Sequence, residues 1–264
     1  METQERQDLE GIGGVSPDIS VDRFTDDGWV RTSTHVPSEM NLTIYVNQQE
    51  LVTILCTPTK LNCLVLGFLY DEGIISSMKD IASMRVCEDD SLADVRLTNQ
   101  DFQAPKLKTL TSGCGGGATF KTEGFKLSSG LVVAPHKMLS LMKQFQDRMD
   151  LYRASGGVHA SALCDGNKLL VVAEDIGRHN TLDKIQGECL LRGLTTRDAV
   201  LLTTGRVSSE MLLKAAKMQV PLIVSRTSPT ERAVVLANEL GIALAGYARA
   251  SRMLVYAHAE RLGR

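Results

Sequence analysis

From Val158 to His258 the chain alternates short apolar runs with amphipathic stretches, and this rhythm limits the available folds more than any other feature. VHASALC and KLLVVAE read as strands, TLDKIQGECLLRG as a helix, AVLLTT as a strand and SSEMLLKAAKM as a helix. PLIVS, PTERAVVLANEL, IALAGYA and MLVYAH continue as strand, helix and two closing strands. Strands that are apolar throughout must be covered on both faces, and amphipathic helices are the elements that cover them. Residues 131–264 are therefore expected to form an α/β core, a mixed sheet flanked by helices. Residues 21–130 read as a β-rich portion: NLTIYV and LVTILCT are strands joined at NQQE, LNCLVLGFLYDEGII is a helix ending near Gly73, and IASMRVC and LADVRLT are two further strands. Residues 1–20 carry acids, Gly and Ser without periodicity and read as a flexible tail. In KMLSLMKQFQDRMDLY the residues Met138, Leu141, Met142, Phe145 and Met149 fall at helical spacing, a stripe expected to pack into the core.

Sheets of this kind bind ligands outside the carboxyl ends of their strands. Three strand-to-helix turns fall there: EDIGRHN, TGRVSSE and SRTSPTE, each with an arginine, Arg178, Arg206 and Arg226. One reading is helix capping, with Asn180 as an N-cap, Asp183 favouring the helix dipole, and Ser208 or Ser209 acting with Glu210. The other is an anion site, because helix N-termini and guanidinium groups suit phosphate. The net charge of -2 gives no general pull toward nucleic acid or anionic membrane, so an anion site has to be local. His179 titrates within physiological reach in its unperturbed state, and His159 in GGVHASAL is either a core histidine or part of the site.

The stretch TSGCGGGAT sets Cys114 among glycines. Either it is a linker with an incidental cysteine, or it presents a thiol that nearby cations activate as a nucleophile or persulfide carrier. The six cysteines form no C-x-x-C pair, so no structural metal is expected. HAE at His258–Glu260 lacks the P-C-x-x-C that zinc nucleobase deaminases require, and GIGG near the start is not a dinucleotide fingerprint. No apolar run approaches the roughly 20 residues of a membrane span. The polar, acidic METQERQDLEGIGG differs from a secretory signal, which points to the cytoplasm and to reduced thiols.

The ordered set GFLYDEGII, SGCGGGA, GGVHASAL, EDIGRHNTLDK, TTGRVSSEMLLKAAK, SRTSPTERAVVLANELGIALAGYAR and MLVYAHAERL closely resembles the FdhD family, from about Val36 to the end. The resemblance implies an accessory sulfurtransferase for formate dehydrogenase, a cytoplasmic homodimer with a core similar to the cytidine deaminase fold. It implies that sulfur arrives from a cysteine desulfurase as a persulfide on Cys114. The sulfur then passes to a molybdenum or tungsten bis(pterin guanine dinucleotide) cofactor, which is inserted into apo-formate dehydrogenase. The family's cofactor-binding segment falls here on Ala248, Arg249, Ala250, Ser251, Arg252 and Met253. Arg178, His179, Arg206 and His159 would face the cofactor's phosphates or its metal end. Many members carry C-G-x-C-G, and Gly117 stands here at the second cysteine, which removes any relay between two thiols. A delivery chaperone that binds the cofactor without moving sulfur is the alternative.

Overall fold

The computed structural model describes residues 15–103 and 126–264. Cys114, and with it the expected thiol loop, lies outside the described residues. Strands β1 (Asp18–Thr25) and β2 (Gly28–His35) pair as an antiparallel hairpin. Strand β2 falls in the portion read as β-rich, but β1 and the hairpin were not foreseen: β1 begins inside the stretch read as a tail, and neither strand has a buried apolar face. Strands β3 (Met40–Val46) and β4 (Gln49–Cys56) are joined at Asn47 and Gln48, both at positive φ, the conformation a two-residue hairpin turn needs. With β5 (Ile81–Cys87) and β6 (Leu92–Leu97) they form a four-stranded sheet ordered β4-β3-β6-β5. Helix α1 (Leu61–Asp71) packs on that sheet through Leu64, Val65 and Phe68 against Leu42, Ile44 and Val95.

The stripe from Met138 to Met149 is buried as expected, four of its residues on one helix and Met149 in the break that follows it. Helix α2 (Pro135–Gln146) ends before Met149, whose φ of -98° and ψ of 76° break the helical path into α3 (Asp150–Ser155). The second half builds β7 (His159–Cys164), β8 (Leu169–Asp175), α4 (Arg178–Arg192), β9 (Val200–Thr203), α5 (Ser209–Lys217), β10 (Leu222–Ser225), α6 (Glu231–Leu240), β11 (Ala243–Arg249) and β12 (Arg252–Ala257).

Its six strands run in the order β12-β11-β10-β9-β7-β8. Strands β9, β10 and β11 are parallel, while β7 is antiparallel to both β8 and β9 and β12 is antiparallel to β11. This pairing sends the carboxyl ends of β8, β9, β10 and β11 to one edge, together with the amino ends of β7 and β12. The sheet is covered on both faces. Leu163, Leu201, Ile223 and Leu244 point toward α4, α5 and α6, whereas Ala162, Leu202, Val224 and Ala245 pack with Met138, Leu141 and Phe145 of α2.

The two halves join where α1 crosses α4 with backbone against backbone. A Cβ added to Gly67 would lie 1.8 Å from the Asp183 carbonyl oxygen, and one added to Gly187 would lie 1.9 Å from that of Cys63. Only glycine permits this approach. It fixes the start of α4 relative to the four-stranded sheet.

Candidate functional site

The three turns named from the sequence meet along the shared edge and are hydrogen-bonded in series. The Thr204 amide donates to the Ala160 carbonyl at 2.9 Å, and the Arg226 amide to the Thr203 carbonyl at 3.0 Å. The Tyr247 amide donates to the Thr227 carbonyl at 3.1 Å, and Arg249 Nε to the Arg226 carbonyl at 3.2 Å. Beneath them lies a row of buried hydroxyls that the sequence reading missed. Ser161 Oγ bonds Thr181 Oγ1 at 2.7 Å and Thr203 Oγ1 at 3.0 Å, and Ser225 Oγ donates to the Gly205 carbonyl at 2.7 Å. The available signal was a hydroxyl residue closing an otherwise apolar run, as in VLLT and LIVS.

Helix α4 opens at Gly177, which supplies no side-chain cap. Asn180, expected as the N-cap, sits inside the helix instead. Its Nδ2 donates to Asp175 Oδ1 at 2.8 Å and to the Leu55 carbonyl at 2.9 Å. Asp175 also accepts from the amides of Gly177 (2.7 Å) and Thr57 (3.1 Å), and pairs with the fully buried Lys184 at 2.6 Å. Lys184 Nζ further donates to the Thr57 and Glu174 carbonyls and to Thr59 Oγ1. This satisfied internal ion pair holds the EDIGRHN turn rigid and ties it to the end of β4. Asp183, expected to favour the helix dipole, is buried deeper and binds Lys214 and not solvent.

Arg178, His159 and Gly205 lie side by side: a Cβ on Gly205 would stand 3.3 Å from both Arg178 Cβ and His159 Nδ1. The bare glycine lets the β8–α4 and β9–α5 turns approach closely, with Arg178 and His159 packed over it. Nε of Arg178 and Nε of Arg226 are buried and have no hydrogen-bond partner among the described residues. Buried donors of this kind are rare, because each forfeits its hydration. Burial, then the Arg178 charge, pushes His159 below its usual value. His179 is pushed down to about 3 by burial first, then by Arg178, Lys214 and His159. This corrects the expectation of a physiological titration: the ring is neutral, and its 3.3 Å contacts with Ser208 Oγ and Glu210 Oε2 are hydrogen-bonding distances, not an ion pair.

The 248–253 segment is the β11–β12 turn at the same edge. Arg249, Ala250, Ser251 and Arg252 are exposed, whereas Ala248 is fully buried in the core and Met253 packs against it. Tyr247 and Ala250 both hold positive φ, at 51° and 50°, around a register shift in the strand pair. Such backbone is found where a surrounding structure imposes it, often at binding sites.

Of the described cysteines, Cys56, Cys164 and Cys189 have thiols that burial pushes up to about 12. Burial raises Cys63 as well, and Cys87 Sγ stands 3.1 Å from the Asp90 carboxylate. None is built as a thiolate nucleophile. Among the described residues no helix is long and apolar enough to cross a membrane.

A profile of the FdhD/NarQ family matches residues 37–263. A protein named sulfur carrier protein FdhD from Bacillus subtilis is 40% identical over 234 residues, covering 85% of this chain and 89% of its own. The protein of that name from Staphylococcus aureus is 38% identical over 249 residues, covering 91% and 94%. A crystal structure described as a formate dehydrogenase accessory protein, from Desulfotalea psychrophila, superposes with a TM-score of 0.79 at 26% identity, covering 94% of this chain and 99% of that one. The close approach at Gly205, the EDIGRHN turn and the arginine edge thus sit on a chain matched along nearly all its length, and the protein belongs to the FdhD/NarQ family.

Proposed function

We propose that this chain is a sulfur carrier in the maturation of formate dehydrogenase, with Cys114 as the carrier and the arginine edge as the dock for a bis(pterin guanine dinucleotide) cofactor of molybdenum or tungsten. The single observation that supports the dock is the opening of α4: an N-terminus without a side-chain cap beside the buried, unpartnered Nε of Arg178. A helix start and a guanidinium together suit a phosphate oxygen. Arg206, Arg226, Arg249 and Arg252 extend positive charge along the same edge, matching a client that carries pyrophosphates. The neutral His159 and His179 add N–H donors without further charge.

The names of the relatives support the sulfur-carrying half of the reading. A thiolate on Cys114 attacks the outer sulfur of a cysteine desulfurase persulfide, forms the new S–S bond and releases the desulfurase thiolate. The described cysteines are poor rivals for that step, being buried or facing a carboxylate. The carrier then meets apo-formate dehydrogenase, and the family's dimeric habit is extended to this chain as part of the same proposal.

Mass spectrometry of the intact protein after incubation with an active cysteine desulfurase and cysteine tests the carrier. One added sulfur on the wild type, absent from Cys114→Ala, is expected. No added sulfur would favour a second reading suggested by Gly117, a chaperone that delivers the cofactor without moving sulfur. In that case Cys114→Ala would mature the dehydrogenase normally.

A further inference from the structure

Behind the edge, α4 and α5 are stapled by two polar rungs one helical turn apart. The outer rung joins His179 of α4 to Ser208 and Glu210 at the start of α5, both at 3.3 Å. The inner rung joins Asp183, four residues on from His179, to Lys214, four residues on from Glu210. Lys214 Nζ also binds Asp71 Oδ2 at 3.0 Å at the end of α1, and Lys217 Nζ donates to the Asp71 carbonyl. The side chains of Asp71 and Asp183 are 1% and 4% exposed, so three helix segments share one dry cluster. Asp71 Oδ1 has no partner among the described residues, which leaves Lys214 as the bond that spans all three. A network of this kind is costly to break, because removing one member strands a buried charge.

We infer that Lys214, with Asp183 and Asp71, is a positioning residue of the phosphate edge: it sets the spacing between the starts of α4 and α5, and so between Arg178 and Arg206. The inference rests on the reading of that edge as a phosphate dock. It reaches the edge through His179, which is faced by Arg178 on its own helix, His159 of β7, and Ser208, Glu210 and Lys214 of α5. With Lys214 held as a cation, His179 stays neutral and donates or accepts across the outer rung. Burial raises Asp183 first, Lys214 opposes that shift, and the neighbouring Asp71 adds to it, so the three side chains act as one cluster.

The test pairs a titration of the His179 ring by nuclear magnetic resonance with GDP binding by calorimetry, in the full-length wild type and in Lys214→Met. In the wild type the ring should stay neutral from about pH 8 to about pH 5. In Lys214→Met its titration should rise above the wild-type value, because one of the cations that lowers it is gone, and GDP binding should weaken by about tenfold, as expected when one charge-assisted contact is misplaced. A folded Lys214→Met with an unchanged His179 titration and unchanged GDP affinity overturns the inference. A wild type that fails to bind GDP refutes the phosphate dock, while the His179 titration still judges the staple separately. If Lys214→Met does not fold, Asp183→Asn, which removes the ion pair to Lys214 at nearly constant size, decides. GDP binding about tenfold weaker supports the inference, and affinity within about twofold of the wild type overturns it.

Discussion

Helices α5 and α6 start on hydroxyl caps, whereas α4, which starts at the same edge, does not. Ser208 Oγ accepts from the Met211 amide and Thr230 Oγ1 from the Ala233 amide, so each of these helix ends is closed by its own sequence. Helix α4 starts at a glycine, and the nearby carboxylate of Asp175 is turned inward, onto the Gly177 amide, Asn180 and Lys184. A helix start carries unsatisfied amide donors and a partial positive charge. In α5 and α6 a side chain removes part of that demand. In α4 the polar side chains fix the turn and leave the helix start without a side-chain cap, beside Arg178; the proposed function places a phosphate there.

The widest test of this contrast displaces α4 altogether. Gly187→Val should force α1 and α4 apart, since even a Cβ would lie 1.9 Å from the Cys63 carbonyl oxygen. Denaturant unfolding should show a loss of more than about 3 kcal/mol, the scale of severe overpacking or more. Lys184→Met should cost about 3–5 kcal/mol by the same measurement, because it leaves Asp175 buried and unpaired. Arg178→Ala or Arg206→Ala should leave stability nearly unchanged and weaken GDP binding by about 1–3 kcal/mol in a calorimetric titration. Ser208→Ala and Thr230→Ala should do the opposite, costing about 1 kcal/mol of stability as caps do, with Thr230→Ala leaving GDP affinity alone. If Thr230→Ala weakens GDP as strongly as Arg178→Ala, the contrast between closed and open helix starts is wrong.

The histidines add a pH signature. His179 has a folded value of about 3 against an ordinary 6.5, so the unfolded chain takes up a proton on acidification before the folded one does. Its contribution to stability is full above the ordinary value and is lost as pH falls toward the folded one. Thermal unfolding should therefore show a midpoint that drops over that interval, with a shallower drop in His179→Gln.

The periodicity of the second half was legible because parallel strands buried on both faces leave uninterrupted apolar runs, and AVLLTT and PLIVS became β9 and β10 where expected. The arginine turns were legible because they follow those runs. The role of Asn180 was not, since it depends on a carbonyl 125 residues away, that of Leu55, and on the inward turn of Asp175 that burial of the ion pair with Lys184 imposes. The neutrality of His179 was only partly legible: burial sets it first, the adjacent Arg178 next, and Lys214, distant in sequence, adds to them. Gly67 and Gly187 read as ordinary helix interruptions until the backbones they admit were seen together. The β1–β2 hairpin had no apolar alternation to announce it, being exposed along almost its whole length.

Calorimetric titration of the wild type with GDP and with guanosine, each repeated on Arg178→Ala, asks most directly whether the open start of α4 is a phosphate dock. Binding of GDP, with guanosine much weaker and the difference largely erased by Arg178→Ala, is the result predicted. Equal binding of the two ligands, or GDP binding indifferent to Arg178, would contradict it.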